Sequence, residues 1–483
     1  MRSALLCSRA RGAARASLGA SLGASLGASL SLALSLALSL ALSLALSLAL
    51  APRAAANPFF VGRFDGLIGG PLSARPFALY WNPAGLTARG LALDAHLGLI
   101  GRQGSYDRSL PADTPAEVAA VNGGRGTTSS QGALPSLAGR WGGRAGGARL
   151  GAGAGAYIAR AGTSSWDRRP DAPAAYPGAY DGPQRWGSLS TSMVLLNYAA
   201  GAAAGWGPLD VGVSLSYVSA SLSTAKASNA DKSDDLVDSS GEVKEGRIFL
   251  KDAVGGGWHL GAGAQLRLRR YGLPVQLGVA WRQSVSYSLE GQSYVLFGAA
   301  ETQARARVNL PVAGSLLSSL GVRVARPLTL RLEHERQAWS VLDVQRIVNL
   351  DNGEELLPLQ RYFRDTDAFR LRADVRARRG LTLHAGVSYE EGATPAAYHE
   401  PGLAENDQVE GGVGVTWRLS PSLELHSSFL WQHFFDRVVT QSAQRPALNG
   451  VYTDQRQYLT FNLTWRAGAP SPAQPSKPSK DSP

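Results

Sequence analysis

Hydrophobic and polar positions alternate one by one along most of this chain. Leu91, Leu93, Ala95, Leu97 and Leu99 share one parity, and Ala92, Asp94, His96 and Gly98 share the other. Trp258, Leu260, Ala262, Ala264, Leu266 and Leu268 oppose His259, Gln265, Arg267 and Arg269. Phe369, Leu371, Ala373, Val375 and Ala377 oppose Arg370, Arg372, Asp374, Arg376 and Arg378. The same period returns at 211–217, 328–332 and 413–419, and it closes the chain at 459–465. A period of two sorts side chains onto the two faces of a β-strand. The pattern predicts strands at 90–101, 134–141, 148–160, 188–206, 209–224, 257–270, 273–290, 304–325, 328–345, 366–378, 381–390, 409–419, 422–434 and 454–466, fourteen when 304–325 is counted as one strand across Pro311.

The connections alternate in length. Short turns fall at 142–147, 207–208, 271–272, 326–327, 379–380 and 420–421, and most carry Gly or Pro. Long loops fall at 102–133, 161–187, 225–256, 291–303, 346–365, 391–408 and 435–453. Short turns on one rim and long loops on the other are the layout of an outer-membrane barrel. An even strand number returns both ends to the short-turn, periplasmic rim. The expected fold is all-β: a 14-stranded antiparallel transmembrane barrel, closed over residues 90–466. Trp186, Trp206, Trp258, Tyr271, Trp281, Trp339, Trp431, Phe434, Tyr458 and Trp465 recur near strand ends and are expected to form interfacial girdles.

Composition agrees with a barrel. The 483 residues are 44% hydrophobic with a mean hydropathy of −0.09. Beyond the N-terminal region no segment reaches the roughly 20 apolar residues of a membrane helix, so any crossing must use strands. The 56 glycines suit closely packed strands more than helices. Net charge is +11; five arginines, and no acid, lie in residues 1–56, which leaves about +6 for the remainder. The basic residues alternate with apolar ones and form no patch, which argues against a nucleic-acid partner.

The N-terminus reads as a processing signal. Residues 1–16 are Arg-rich, a Ser/Leu/Ala/Gly repeat follows, and Ala54-Ala55-Ala56 precede Asn57. A basic region, an apolar region and small residues define a cleaved secretory segment, here 1–56. An uncleaved anchor helix is the alternative, because the apolar stretch is long. The single cysteine, Cys7, lies in this segment, so no disulfide or thiolate metal site is expected elsewhere. A Pro/Ser/Lys-rich tail, 467–483, is expected to be disordered.

No catalytic or cofactor motif emerges. The seven histidines, His96, His259, His334, His384, His399, His426 and His433, lack zinc-ligand spacing. The acidic run Asp231, Asp234, Asp235, Asp238, Glu242 and Glu245 lacks the spacing of a calcium loop and reads as a solvated loop. Arg267, Arg331, Arg370 and Arg372 are expected to face the lumen. They could hold a substrate carboxylate, or pair structurally with Glu333, Glu335, Asp374 and Glu424.

Residues 62–86 read GRFDGLIGGPLSARPFALYWNPAGL. With the Asn-Pro-Ala at its end, this stretch resembles the hatch of the FadL/TodX family of outer-membrane transporters. Residues 308–343, with their Leu-Pro and Trp-Ser, residues 363–408 and the arginine-bearing strand at 272–291 are similar to further stretches of that family. The resemblance implies a 14-stranded barrel with a small N-terminal hatch, 57–89, inside the lumen, and it guides the reading of 304–325 as one strand. It implies passive uptake of hydrophobic compounds, long-chain fatty acids foremost, with lateral release at a kinked strand beside the hatch. An aromatic-hydrocarbon channel and a structural or adhesive barrel are the alternatives. Under the resemblance Asn82, Pro83, Ala84 and Gly85 form the hatch motif, and Phe59 and Phe60 are candidates for the ligand pocket. The partners implied are hydrophobic small molecules, outer-membrane lipid and lipopolysaccharide, and the barrel-assembly machinery, which would read Trp465. The protein is expected to act as a monomer.

Overall fold

The computed structural model describes residues 60–467, apart from 298–299 and 404. The expected signal segment with Ala54-Ala55-Ala56, Phe59, and all of the tail after 467 lie outside the described residues.

Fourteen antiparallel strands close into a barrel, every neighbour joined by ladder hydrogen bonds and the last pairing with the first. The strands are β1 (Gly90–Arg108), β2 (Gly124–Ala145), β3 (Ala148–Ser165), β4 (Ser190–Trp206), β5 (Leu209–Ser228) and β6 (Gly246–Arg267). Four interrupted strands follow: β7 (Val275–Arg282 and Val285–Phe297), β8 (Ala300–Val312 and Ser315–Arg323), β9 (Leu328–Gln337 and Val344–Asn349) and β10 (Glu355–Gln360 and Thr366–Arg378). The ring ends with β11 (Leu381–Glu390), β12 (Gln408–Arg418), β13 (Leu423–Phe434) and β14 (Gly450–Arg466). Ala92↔Arg466 through Arg108↔Gly450 closes it.

Sequence parity explains the wall. Leu93, Leu97 and Leu99 on β1, Val211, Val213 and Leu215 on β5, and Leu459, Phe461 and Leu463 on β14 are exposed on the outside. Their neighbours Asp94, His96, Asp210, Ser214, Asn462 and Thr464 are buried inside. Apolar residues facing out and polar residues facing in make a transmembrane barrel.

All fourteen predicted strands exist, and most run longer at the long-loop rim than alternation suggested. β2 begins at 124 rather than 134, β6 at 246 rather than 257 and β10 at 355 rather than 366. The expected long loop 291–303 is mostly strand and 346–365 is half strand, folded as the hairpins β7–β8 and β9–β10. These outer extensions stand above the apolar belt. Arg125, Thr127, Ser129 and Gln131 on β2, and Glu301, Thr302 and Gln303 on β8, are exposed there, and the inward Thr128 and Ser130 on β2 are polar too. With polar residues outside, hydrophobic contrast between the faces is weak or inverted, and the strand signal fades.

The girdle expectation holds for part of its set. Trp206, Trp258, Tyr271, Trp281, Trp431 and Trp465 are exposed on the wall. Trp186, Trp339, Phe434 and Tyr458 are buried in the interior instead. Proximity to a strand end does not specify a face.

Candidate functional site

The N-terminal segment 62–89 runs inside the barrel. It holds a helical turn at Ala78–Trp81 and a 3₁₀ turn at Pro83–Thr87. Phe64, Phe77, Ala78, Leu79, Trp81, Ala84 and Leu86 are buried against inward residues of the wall, including Ala138, Tyr157, Ala199 and Ala203. Two glycines show how close the approach is. A Cβ on Gly151 would lie 2.2 Å from the Leu86 carbonyl oxygen, and one on Gly212 would lie 2.4 Å from the Pro83 carbonyl carbon. Only glycine fits at these strand positions.

Asn82 joins the segment to the wall. Its side-chain oxygen accepts from the Ala84 amide at 3.1 Å and caps the turn, with Pro83 in the first helical position. Its amide nitrogen donates to the carbonyls of Pro71, Ala264 and Val279 at 2.9, 3.0 and 3.1 Å. The predicted motif residues Asn82, Pro83, Ala84 and Gly85 are all buried together beneath β4, β5 and β6.

Ion pairs hold the other side. Arg75 donates to Glu424 at 2.7 Å and Asp65 at 3.1 Å, with Asp94 at 3.6 Å. Arg63 pairs with Glu410 at 2.7 Å. A hydrogen-bonded ring also begins and ends at the Leu67 peptide. The Leu67 amide donates to Ser428 Oγ at 3.2 Å, and Ser428 lies 2.7 Å from His426 Nε2. Thr416 Oγ1 bridges His426 Nδ1 and His384 Nε2 at 2.9 and 2.8 Å. His384 Nδ1 donates to Asp374 at 2.8 Å; Arg331 donates to Asp374 at 3.0 Å and to the Leu67 carbonyl at 2.8 Å.

The four candidate carboxylate-binding arginines therefore have partners. Arg267 lies 3.2 Å from Asp210, Arg331 holds Asp374, and Arg370 lies 2.8 Å from Glu335. Arg372 lies 3.5 Å from Glu333 and donates to the Gly69 carbonyl.

Two cavities lie one above the other in the lumen. The upper is lined mainly by apolar side chains such as Met193, Leu222, Leu250, Val308, Leu310 and Ile347. Lys226, Arg361 and Glu400 also line it, the last two as an ion pair. The lower touches the N-terminal segment at Leu79 and Tyr80 and is more polar. Arg160, Asn197, Ser214, His259, Arg282 and Tyr287 line it. Arg282 is paired with Glu335 at 2.9 Å. Arg160 Nη2 donates to the Ala313 carbonyl at 3.4 Å, and its buried Nη1 has no hydrogen-bond partner among the described residues.

The wall beside the lower cavity is incomplete. The β2–β3 ladder ends at Ser136↔Tyr157 and resumes only as the single bridge Thr128↔Trp166. Pro135, which has no amide donor, sits at that edge. A register shift between Ile158 and Arg160 kinks β3. On the freed edge Phe60↔Ala161 and Val61↔Arg160 pair, and Gly62 donates to the Ala159 carbonyl at 2.8 Å. The candidate Phe60 thus has its backbone at the gap.

Sequence reading missed Arg160, because its parity places it outside; the register shift turns it into the lumen. It also missed the inward Trp339. No signal in the alternation marks either.

A sequence profile of the outer membrane protein transport protein family (OMPP1/FadL/TodX) matches residues 208–466, more than half of the chain. The chain belongs to this family. It is an outer-membrane protein, and the family consists of transport channels for hydrophobic compounds. No curated protein matches the chain. Among solved structures, a Pseudomonas aeruginosa FadL homologue is similar with a TM-score of 0.69 at 13% identity, covering 86% of this chain and 99% of the other. The Pseudomonas putida toluene transporter TodX gives 0.59 at 15% identity, covering 83% and 99%. The Ralstonia pickettii toluene transporter TbuX gives 0.56 at 16% identity, covering 83% and 99%. At such identities the likeness fixes the fold and leaves the cargo of this OMPP1/FadL/TodX member to its own residues.

Proposed function

We propose that this protein takes up long-chain fatty acids, or amphiphiles of the same chemistry, by passive passage through the barrel. The molecule enters the apolar upper cavity, descends to the lower one and leaves sideways through the β2–β3 gap into the membrane. Segment 62–89 acts as a hatch that closes the periplasmic end, and Asn82 to Gly85 seat it. The paired arginines Arg267, Arg331, Arg370 and Arg372 serve structure.

The observation that carries the cargo assignment is Arg160. Its guanidinium lines the lower cavity beside the gap with one nitrogen unpartnered. A buried cationic donor left unsatisfied is costly, and a carboxylate supplies the charge-assisted bond it lacks. An aromatic hydrocarbon supplies none, although toluene transporters share the fold.

The test is displacement of a fluorescent long-chain fatty acid from the refolded protein by oleate and, separately, by toluene. Oleate should compete strongly and toluene weakly. Arg160→Gln should weaken oleate about tenfold or more, as losing a charged hydrogen bond of roughly 1.5–3 kcal/mol implies. Equal competition by toluene, with no effect of the substitution, would turn the reading to an aromatic-hydrocarbon channel. No binding of either would favour an adhesive barrel.

A further inference from the structure

The two cavities are stacked but separated by side chains. On β4 the upper cavity is lined by Met193 and the lower by Leu195; on β5 by Leu222 and Val218; on β8 by Leu310 and Val312. Between these levels Ala220, Leu289 and Trp339 are buried in the same apolar cluster, with at most 1% exposure. Trp339 links the two levels. Below it, Arg160 of the lower cavity places its guanidinium 4.9 Å from the ring centroid. Above it, Leu342, which lines the upper cavity, donates to the Trp339 carbonyl at 2.9 Å. The indole nitrogen donates to Gln337 at 3.0 Å, and Phe363 packs edge-on at 6.2 Å.

The backbone at this level is unusual. Trp339 sits in a 3₁₀ turn that interrupts β9, and β7, β8 and β10 break nearby, at 283–284, 313–314 and 361–365. Four neighbouring strands thus lose ladder continuity around one side chain, the large ring held at the centre of the septum.

We propose that Trp339 is the selectivity-determining residue of the lumen: its ring completes a dry apolar septum that hydrated solutes cannot cross and a flexible alkyl chain can. Close-packed interiors leave no room for water, and a buried apolar barrier strips the hydration shell of anything polar that enters. An acyl chain suffers no such penalty and can part the side chains where the strands are already broken. The inference rests on the lumen path proposed above, but not on the identity of the cargo.

The test uses the full chain with Cys7→Ser, so that the only thiol is one introduced in the lower cavity by Ser214→Cys. A charged, membrane-impermeant thiol reagent is added to the extracellular side of the protein in liposomes. With Trp339 present, labelling should be slow. With Trp339→Ala it should accelerate about tenfold or more, because the void left by an indole is large enough to admit water. Trp339→Phe should restore slow labelling. If Trp339→Ala distorts the barrel, shown by loss of heat-modifiable mobility, Leu289→Ala opens the same septum from β7 and should give the same gain. Fast labelling of the parent, or folded variants that label no faster than it, would overturn the proposal. Fatty-acid binding measured on the same parent separates the readings: slow labelling without binding removes the cargo assignment and leaves the septum.

Discussion

At the scale of single residues, the chain uses polar side chains to fasten one backbone to another. Asn82 is the clearest case, because one side chain caps a turn and also satisfies carbonyls on two barrel strands. Asn82→Ala should remove the amide's bonds to these carbonyls, each worth about 1 kcal/mol, and a cap worth about 1 kcal/mol; the Pro71 carbonyl keeps its bond from Gln265. The expected outcome is a lower unfolding midpoint and faster proteolysis of segment 62–89 from the periplasmic side, with the strand content unchanged by circular dichroism. Asn82→Asp keeps the cap acceptor but sets a carboxylate against three carbonyls, so it should be worse than alanine. An alanine variant as stable and as protected as the parent would remove Asn82 as the fastener. The Asn-Pro-Ala motif was legible in the sequence because cap and turn chemistry are local. Arg160 was not, because a one-residue register shift reverses parity beyond it. Trp339 was misplaced for a related reason: an aromatic near a strand end fits a girdle or a core equally well until the strand break is seen.

At the scale of elements, alternation revealed the strands, with the family resemblance guiding 304–325 as one strand across Pro311, because lipid on one side and a polar lumen on the other impose opposite demands on successive residues. It lost the outer extensions, where the outer face is polar and the inner face is polar in places, as at Thr128, and apolar in others, as at Leu250 and Ile347, so the contrast fades or inverts. It also gave no view of the 391–407 connection, which lines the mouth of the lumen. There Glu400 and Leu403 line the upper cavity and Ala393 joins its apolar cluster. Glu405 anchors this loop. It is fully buried and accepts from the Ala393 amide at 3.0 Å and the Thr394 hydroxyl at 2.7 Å. Burial raises its carboxyl from 4.5 to about 8, and these hydrogen bonds oppose the rise only in part. Below 4.5 the group is protonated whether the loop is docked or released. Between 4.5 and about 8 the docked loop keeps a proton that the released loop gives up, so docking weakens as pH rises through that window. Above it the loss is complete and constant. Hydrogen exchange at the Ala393 amide should therefore quicken across the window once the intrinsic pH dependence is removed. Glu405→Gln should flatten that dependence; a variant with an unchanged slope would assign the effect to another group.

At the scale of the whole molecule, strand number sets the problem that segment 62–89 solves. An eight-stranded barrel is filled by its own side chains, whereas barrels of 16–18 strands leave an aqueous channel. Fourteen strands lie between, too wide for the wall to fill the lumen and narrow enough for one short segment to do so. The wall is built around that segment, with glycine where its backbone passes at Gly151 and Gly212. Inward arginines wait for its carbonyls: Arg331 at Leu67 and Arg140 at Ala88. Deleting residues 62–88 should thus leave a barrel with vacated space above its short-turn rim and with Glu410 and Asp94 stripped of Arg63 and Arg75, while Glu424 keeps Arg466. Buried charges without partners draw in water. On the β1, β13 and β14 side the buried Arg102, Gln432, Asp454 and Arg456 stand beside a small apolar cluster, Ile100, Leu430 and Tyr458, which loses Leu67 with the segment. Hydration should spread along this side, and the variant should show stepwise ion conductance in planar bilayers where the parent is nearly silent. A deletion variant that folds and stays silent would show that the periplasmic end is not where the barrel is sealed, and would shift the whole closure to the outer half of the lumen.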